Sequence, residues 1–176
     1  MYNSLNSIAS LAHQNADKVE QMALALSKLF RYCINKDESD YETIKNEVEM
    51  ALIYLEVEKV RFGKQLAYTI NVPEEVNEVM IPKFLMQPLV ENAIKHGISN
   101  NPENGLLKLE IASTNNDISI TVFDNGPDFP EDFVTGYGLQ SIYERLDILY
   151  PNNYSVHIQN KPEKNIRLVI KNLIIV

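Results

Sequence analysis

Apolar residues in the first 62 positions recur at helical spacing, and no strand-like alternation interrupts them. The first stripe advances in steps of three and four. It contains Leu5, Ile8, Leu11, Val19, Met22, Leu26, Leu29, Phe30 and Cys33. The polar run at 35–40 ends this pattern. A second stripe follows, which Ser39 or Thr43 can cap, and it contains Ile44, Val48, Ala51, Leu52, Leu55 and Phe62. Residues 1–63 are therefore predicted to form an antiparallel helical hairpin.

After Gly63 the spacing of apolar residues changes, and short runs typical of β-strands appear. Strands are predicted at 65–72, 106–113, 117–124, 154–159 and 166–174, and helices at 82–98 and 138–149. The sequence TNND at 114–117 is typical of a hairpin turn. Adjacent hairpin strands favour an α+β sandwich over a parallel βαβ sheet. The predicted fold is thus α+β, with a helical hairpin at 1–63 and an α/β-sandwich domain at 64–176.

The hairpin alone has too few elements to cover its own apolar stripes. Two hairpins that pair into a four-helix bundle would complete the burial. We therefore expect a homodimer.

Four polar residues interrupt the apolar stretch LMQPLVENAIKHGI at 85–98. At 100° per residue, Glu91, Asn92, Lys95 and His96 share one helix face, and apolar residues fill the remainder. A solvated stripe and a functional face explain this pattern equally well. Pro88 lies in the same run, where it removes a backbone donor and tends to kink a helix.

Two glycine-containing motifs favour the functional interpretation. FDNGPD at 123–128 ends a strand with an aspartate, and GYGLQSIYERL at 136–146 puts two glycines before a helix. Each motif alone indicates only a tight turn. Together they form an ordered set with the polar helix face, and the free N–H groups at the start of a helix suit phosphates.

These residues resemble a known family. QPLVENAIKHG, DNG and GYGL…ERL are similar to the N, G1 and G2 boxes of the histidine-kinase branch of the superfamily that includes gyrase and the mismatch-repair ATPases. LNSIASL, LSKLFRY, YLEVEKVRFG and IPKFLMQPLVENAIKHGI more closely resemble the LytS/YehU-type sensor histidine kinases. The resemblance covers nearly the whole chain and implies a GHKL-type domain that binds ATP and Mg²⁺.

The resemblance assigns roles to individual residues. Asn92 would supply an oxygen to Mg²⁺, and Lys95 and His96 would lie near the phosphates. Asp124 would accept the adenine amino group, and Gly126 would let the backbone approach the base. Gly136 and Gly138 would shape the lid and phosphate loop, with Leu139 beside them as a further cofactor-binding residue.

The resemblance also suggests a catalytic residue. Glu91 would position or deprotonate the attacking group. Gyrase-like hydrolases carry their water-activating glutamate one turn before the asparagine, where this chain has Pro88, which fits transfer of phosphate to a side chain. Asp128 replaces a usual second glycine, Ser141 a frequent asparagine, and the lid between Gly126 and Gly136 is short. The changes at Asp128 and Ser141 are expected to weaken nucleotide binding, and the short lid is expected to close incompletely over ATP.

The phosphoacceptor histidine of the family lies in an Asn-Pro-His-Phe-Leu motif, which would precede YNSLNSI and is absent here. His13 lies about three helical turns further on and is a poor substitute. We therefore expect a truncated kinase core that cannot phosphorylate itself. The alternatives are a catalytically silent ATP-binding or partner-binding module and a serine kinase of the anti-sigma type, which would lack the hairpin.

Composition narrows the remaining classes. The net charge of −8, from 16 basic and 24 acidic side chains, repels nucleic acid and anionic membrane surfaces. One cysteine and three widely spaced histidines argue against a disulfide or a zinc cluster. No apolar run is long enough to span a bilayer. Together with this composition, the resemblance implies a cytoplasmic fragment of a membrane-anchored sensor that signals to a response regulator of the LytTR type.

Overall fold

The computed structural model describes residues 16–34, 39–100, 104–130 and 136–173. Its first elements are helix α1 (Ala16–Ile34), strand β1 (Tyr41–Thr43) and helix α2 (Ile44–Phe62). The predicted part of the first helix before residue 16 lies outside the described residues. Thr43 caps α2, because its hydroxyl accepts a hydrogen bond from the Asn46 N–H at 3.2 Å. Gly63, with φ of 60°, ends it.

The two helices pair as an antiparallel hairpin, as predicted. Lys28 reaches Glu49, and Tyr32, further along α1, reaches the earlier residue Glu47. A small apolar core lies between the helices and consists of Met22, Leu26, Leu29, Met50 and Val57. Several large apolar side chains of the hairpin stay exposed, namely Leu24, Phe30, Ile34 and Leu52.

A five-stranded mixed sheet forms the second part of the chain. Its strands are β2 (Leu66–Asn71), β4 (Gly105–Thr114), β5 (Asp117–Asp124), β6 (Tyr154–Gln159) and β7 (Asn165–Ile170). The spatial order is β2-β4-β5-β7-β6, with β2 parallel to β4 and the other pairs antiparallel. The α+β prediction is therefore confirmed.

Local backbone conformation sets the strand ends. Asn115 and Asn116 have φ of 52° and 68° and form the predicted turn between β4 and β5. The last predicted strand, 166–174, ends earlier, at Ile170. Asn172 takes φ of 54°, which is incompatible with an extended strand.

The predicted helix at 82–98 is wrong in its boundaries and its regularity. Strand β3 (Met80–Pro82) pairs instead with β1, and Phe84 has φ of 62°, so helix α3 (Met86–Asn92) begins only at Met86. A π-helical turn at Ala93–Gly97 and a 3₁₀ turn at Ile98–Asn100 follow. Pro88 falls in the first turn of α3, where its missing N–H costs no intrahelical hydrogen bond.

One face of the sheet is covered and the other is open. Helices α3 and α4 (Tyr137–Leu149) pack on the covered face, towards which Leu107, Leu109 and Ile111 of β4 point. Residues from α2 join this main core, namely Ile44, Ala51 and Leu55. The hairpin and the sheet thus share buried surface, and the predicted division at residue 63 stays a prediction. None of the described helices is both long and apolar enough to cross a membrane.

Candidate functional site

The polar stripe of Glu91, Asn92, Lys95 and His96 lies on the less buried side of α3 and the π-helical turn, as the periodicity predicted. Glu91 and Asn92 are half-buried, whereas Lys95 and His96 are exposed. The opposite side enters the main core through Leu85, Leu89, Val90, Ala93 and Ile94. The stripe therefore borders a surface that a ligand could reach.

The end of this helical segment meets the end of β5 at very short range. A Cβ atom on Gly97 would lie 2.1 Å from Oδ1 of Asp124, and one on Gly126 would lie 2.2 Å from the Cα of Gly97. Neither position has room for a side chain. The two motifs that the sequence set about 30 residues apart are thus in direct backbone contact.

Asp124 is buried and carries a compensating charge. Lys164 Nζ donates to its Oδ1 at 2.8 Å, and the Gly126 N–H donates to the same oxygen at 2.9 Å. The two side chains are only 4% and 6% exposed, so the pair is shielded from water. The Lys164 ammonium also lies 4.5 Å from the centroid of the Phe129 ring. Sequence reasoning missed Lys164, which sits in the turn before β7 with no motif around it.

A cavity of about 300 Å³ adjoins this strand end. Asp124, Gly126 and Lys164 line it on one side, together with Asp128, and Lys108 lines it from β4. Asp128, which stands where the sequence comparison led us to expect a glycine, therefore lies on the wall of a cavity beside the buried side chain of Asp124. A side chain there can affect what enters.

Basic groups gather at the exposed end of the polar stripe. Partial burial lowers the pKa of His96 below its ordinary 6.5, and the positive charges of Lys95 and Lys164 lower it further. His96 is consequently neutral at pH 7. A neutral imidazole that can gain a proton, beside the exposed ammonium group of Lys95, suits an anionic ligand.

Glu91 faces the hairpin. Gln87 Nε2 donates to its Oε1 at 2.8 Å. Burial raises the pKa of Tyr54 on α2 well above 10, and the negative charges of Glu58 and Glu91 add to this shift. Glu91 therefore lies within electrostatic reach of α2, the helix that the hairpin contributes to the core.

The glycine motif before α4 lies against the start of α3. A Cβ on Gly138 would meet the Cβ of Pro88 at 3.5 Å, which is ordinary contact, and one on Gly136 would meet nothing within 4 Å. Leu139 is buried in the main core. Ser141 donates from its hydroxyl to the Gly138 carbonyl at 2.8 Å. Residues 131–135, part of the predicted lid, lie outside the described residues.

Comparisons with known proteins show which proteins the chain resembles. The family model described as histidine kinase matches residues 1–66. The chain is 31% identical to the sensor histidine kinase YesM of Bacillus subtilis and 28% identical to the sensor histidine kinase BtsS of Escherichia coli K12, in each case over 97% of this chain and 30% of the relative. It is 30% identical to the sensor protein LytS of Oceanobacillus iheyensis, over 91% of this chain and 30% of that protein.

Solved structures share the fold. The histidine kinase AdeS of Acinetobacter baumannii superposes with a TM-score of 0.59 at 19% identity, over 93% of this chain and 82% of that one. The catalytic domain of the histidine kinase ThkA superposes with a TM-score of 0.57 at 13% identity, over 75% of this chain and 94% of that one. At these identities the likeness defines the fold alone.

The fold is that of histidine kinase catalytic domains, with a helical hairpin attached. The sequence matches agree with this fold: the chain is similar to histidine kinases, and its relatives include sensor kinases of the LytS and YesM type. The chain spans about 30% of the length of these relatives.

Proposed function

We propose that the chain is the kinase core of a two-component sensor, which binds Mg·ATP and transfers the γ-phosphoryl group to a histidine for relay to a response regulator. The observation that carries this proposal is the contact of Gly97 with both Asp124 and Gly126. It brings the asparagine-bearing helix to a buried carboxylate. A nucleotide needs both ends of such a site, one for the base and one for the phosphates.

The base end is formed by Asp124 and Gly126. Lys164 and the Gly126 N–H both donate to Oδ1 of Asp124, so we assign Oδ2 to the adenine amino group. Gly126 keeps the strand end close to Gly97, and Asp124 lines the adjoining cavity. A carboxylate is a stronger hydrogen-bond acceptor than a neutral group, which suits this role.

The phosphate end is formed by the polar stripe. Mg²⁺ is usually held by one or two protein oxygens together with substrate phosphates, and Asn92 offers one such oxygen. The bound Mg²⁺ would neutralise phosphate charge. Lys95 and His96 would contact the phosphates, and Gly136, Gly138 and Leu139 would form the floor and the lid hinge. The described residues hold no cluster of three or more His, Cys, Asp or Glu side chains, and a site of this kind requires none.

Glu91 would act on the attacking group. Its proximity to α2 supports this role, because an acceptor carried by a hairpin would approach from that side. Gln87 holds the carboxylate in place. Pro88 cannot act as a base, so transfer to water should be slow.

The acceptor and the partners belong to the same proposal. His157 lies on strand β6 beside Ser155, and His96 would itself contact the phosphates, so neither is assigned as the acceptor. His13 lies outside the described residues. We propose an acceptor outside the 176 residues, a homodimeric hairpin, a membrane-anchored full-length sensor and a LytTR-type regulator. One structural neighbour, ThkA, is described in complex with a response regulator protein, at a TM-score of 0.52.

Calorimetry with Mg·ATP tests the binding step. Asn92→Ala should remove the magnesium-dependent part of the affinity and leave the fold intact, because the side chain faces away from the core. Asn71→Ala, on the exposed edge strand β2, is the matched control and should bind like the wild type. Equal Mg·ATP affinity in the wild type and Asn92→Ala would contradict the proposal.

A catalytically silent ATP-binding module is the second candidate, and the position of Asp128 on the cavity wall favours it. The two are separated by extending the chain at its N-terminus with the Asn-Pro-His-Phe-Leu segment and measuring phosphate incorporation. Labelling of the added histidine supports the kinase. Mg·ATP binding without labelling supports the silent module.

A further inference from the structure

A buried carboxylate of the hairpin holds the start of the helix that carries the polar stripe. Glu47 of α2 is 1% exposed. Its Oε1 accepts the Phe84 N–H at 2.7 Å, and its Oε2 accepts the N–H groups of Leu85 and Met86 at 3.0 and 3.1 Å. One side chain therefore satisfies three backbone donors 37 to 39 residues further along the chain.

The same carboxylate is bonded to the first helix of the hairpin. The hydroxyl of Tyr32 on α1 donates to Oε1 of Glu47 at 2.5 Å. The Tyr32 ring meets the Phe84 ring edge-on, with centroids 5.1 Å apart, and the Arg145 guanidinium of α4 lies 5.5 Å from the centroid of the Phe84 ring. Three helices and the turn before α3 thus meet at one junction, formed by Tyr32, Glu47, Phe84 and Arg145.

The junction holds a strained backbone. Phe84 has φ of 62°, a conformation that bulky L residues rarely adopt. Such a residue keeps this conformation only where its surroundings enforce it, and such positions are concentrated at sites that switch. The three N–H groups at the start of a helix also lack intrahelical partners, so removal of the carboxylate would leave buried donors unsatisfied.

We propose that Glu47 is a positioning residue that sets the start of α3 and couples the state of the hairpin to the nucleotide site. A shift of α1 against α2 would move the Tyr32 hydroxyl and, through their hydrogen bond, the Glu47 carboxylate. The N–H groups of Phe84, Leu85 and Met86 donate to the same carboxylate and would move with it. Asn92 lies fewer than two turns further along the same helical segment. Coupling of this kind is reciprocal, so Mg·ATP should in turn hold the junction closed.

The proposal rests on the nucleotide site proposed above and is tested in the whole chain. Glu47→Gln keeps the size of the side chain but removes one of its two acceptor oxygens. Tyr32→Phe keeps the ring against Phe84 and removes only the hydroxyl. Glu49→Gln is the matched control, because Glu49 lies on the same helix but is 48% exposed and pairs with Lys28 at the surface.

Two readouts separate positioning from plain stability. The first is the dissociation constant of Mg·ATP for the folded fraction, by calorimetry. The second is amide hydrogen exchange at Phe84, Leu85 and Met86, by NMR, with and without Mg·ATP. In the wild type, nucleotide should slow exchange at these three amides. Tyr32→Phe and Glu47→Gln should weaken binding by about tenfold, a factor within the usual range of coupling between sites, and abolish the slowing.

The outcomes are distinct. Failure of the wild type to bind Mg·ATP overturns the proposed function and this inference with it. Binding by the wild type that is unchanged in Tyr32→Phe overturns the coupling alone, even if Glu47→Gln fails to fold. A lower melting temperature with unchanged affinity of the folded fraction also overturns it, because that is the result of a purely structural role.

Discussion

Gly97 and Gly126 approach so closely that a Cβ atom on Gly126 would lie 2.2 Å from the Cα of Gly97. The contact joins the end of the π-helical turn to the loop after β5. Both positions need glycine because a side chain has no room there, and the backbone conformation does not require it. Among the described glycines, only Gly63 has a positive φ. The geometry of the proposed site therefore depends on two missing side chains.

Gly126→Ala should destabilise the protein and weaken Mg·ATP binding. The added methyl group must push the helix end away from Asp124, and overpacking of this kind typically costs about 1 to 3 kcal/mol. Chemical denaturation measures the free energy of unfolding. Gly136→Ala serves as the stability control, because a Cβ at that position meets nothing within 4 Å. Equal loss of stability in the two variants would contradict the steric argument.

The Asp124–Lys164 pair should behave as one unit in a double-mutant cycle. Removal of one partner from a buried ion pair typically costs about 3 to 5 kcal/mol, because the other charge is left uncompensated. Asp124→Asn and Lys164→Met should each be strongly destabilising, and the double variant should lose much less than their sum. The exposed pair Lys108–Glu110, at 3.1 Å, is the control and should couple by less than about 1 kcal/mol. Additive losses at Asp124 and Lys164 would count against the buried pair.

The local features of this chain were predictable, and its long-range contacts were not. Thr43 as a cap, the turn at Asn115 and Asn116, and the polar stripe of α3 all follow from spacing and residue type over a few positions. The partners Glu47 and Lys164 lie 37 to 40 residues from the groups they contact. The spacing of apolar residues does not indicate which residues make contact over so large a sequence separation. The late start of α3 was missed for the same reason, since pairing of β1 with β3 decides it.

Mg·ATP affinity should rise as the pH falls through His96. Its pKa lies below 6.5 in the free protein because of burial, Lys95 and Lys164. Phosphates beside the ring favour the protonated form and raise this pKa, so the complex takes up a proton and binding strengthens towards acid pH. ATP itself also titrates, so the wild type must be compared with His96→Asn over pH 5.5 to 8. His157→Asn, on the open face of the sheet, is the second control.

If His96→Asn shows the same pH dependence of Mg·ATP affinity as the wild type, His96 does not contact the phosphates.

The lowered pKa of His96 has a further effect on the stability of the fold. Below about pH 6.5 the unfolded chain binds a proton at His96 more readily than the folded chain does, so the contribution of this residue to stability falls as the pH falls.

Leu52→Glu should convert a dimer into a monomer while the single chain stays folded. Leu52 belongs to the apolar stripe of α2 yet is 39% exposed, so the charge costs the isolated chain little, whereas at a bundle interface it would be buried without a partner. Light scattering at micromolar concentration reports the mass. Ile148→Glu, on α4 and 78% exposed, is the matched control. A monomeric wild type would refute the four-helix bundle.

The chain should bind Mg·ATP without labelling itself on histidine. Phosphoryl transfer depends on an acceptor held in line with the γ-phosphate, so a complete ATP site produces no product if no histidine can take that position. His157 lies on β6 of the sheet, and His96 contributes to the phosphate end of the proposed site. With γ-labelled ATP, we expect no stoichiometric label on the present chain, and acid-labile, base-stable label once the Asn-Pro-His-Phe-Leu segment is added. The extended chain carrying Asn92→Ala is the control and should stay unlabelled. Acid-labile label on the present chain that disappears in His13→Ala would instead make His13 the acceptor.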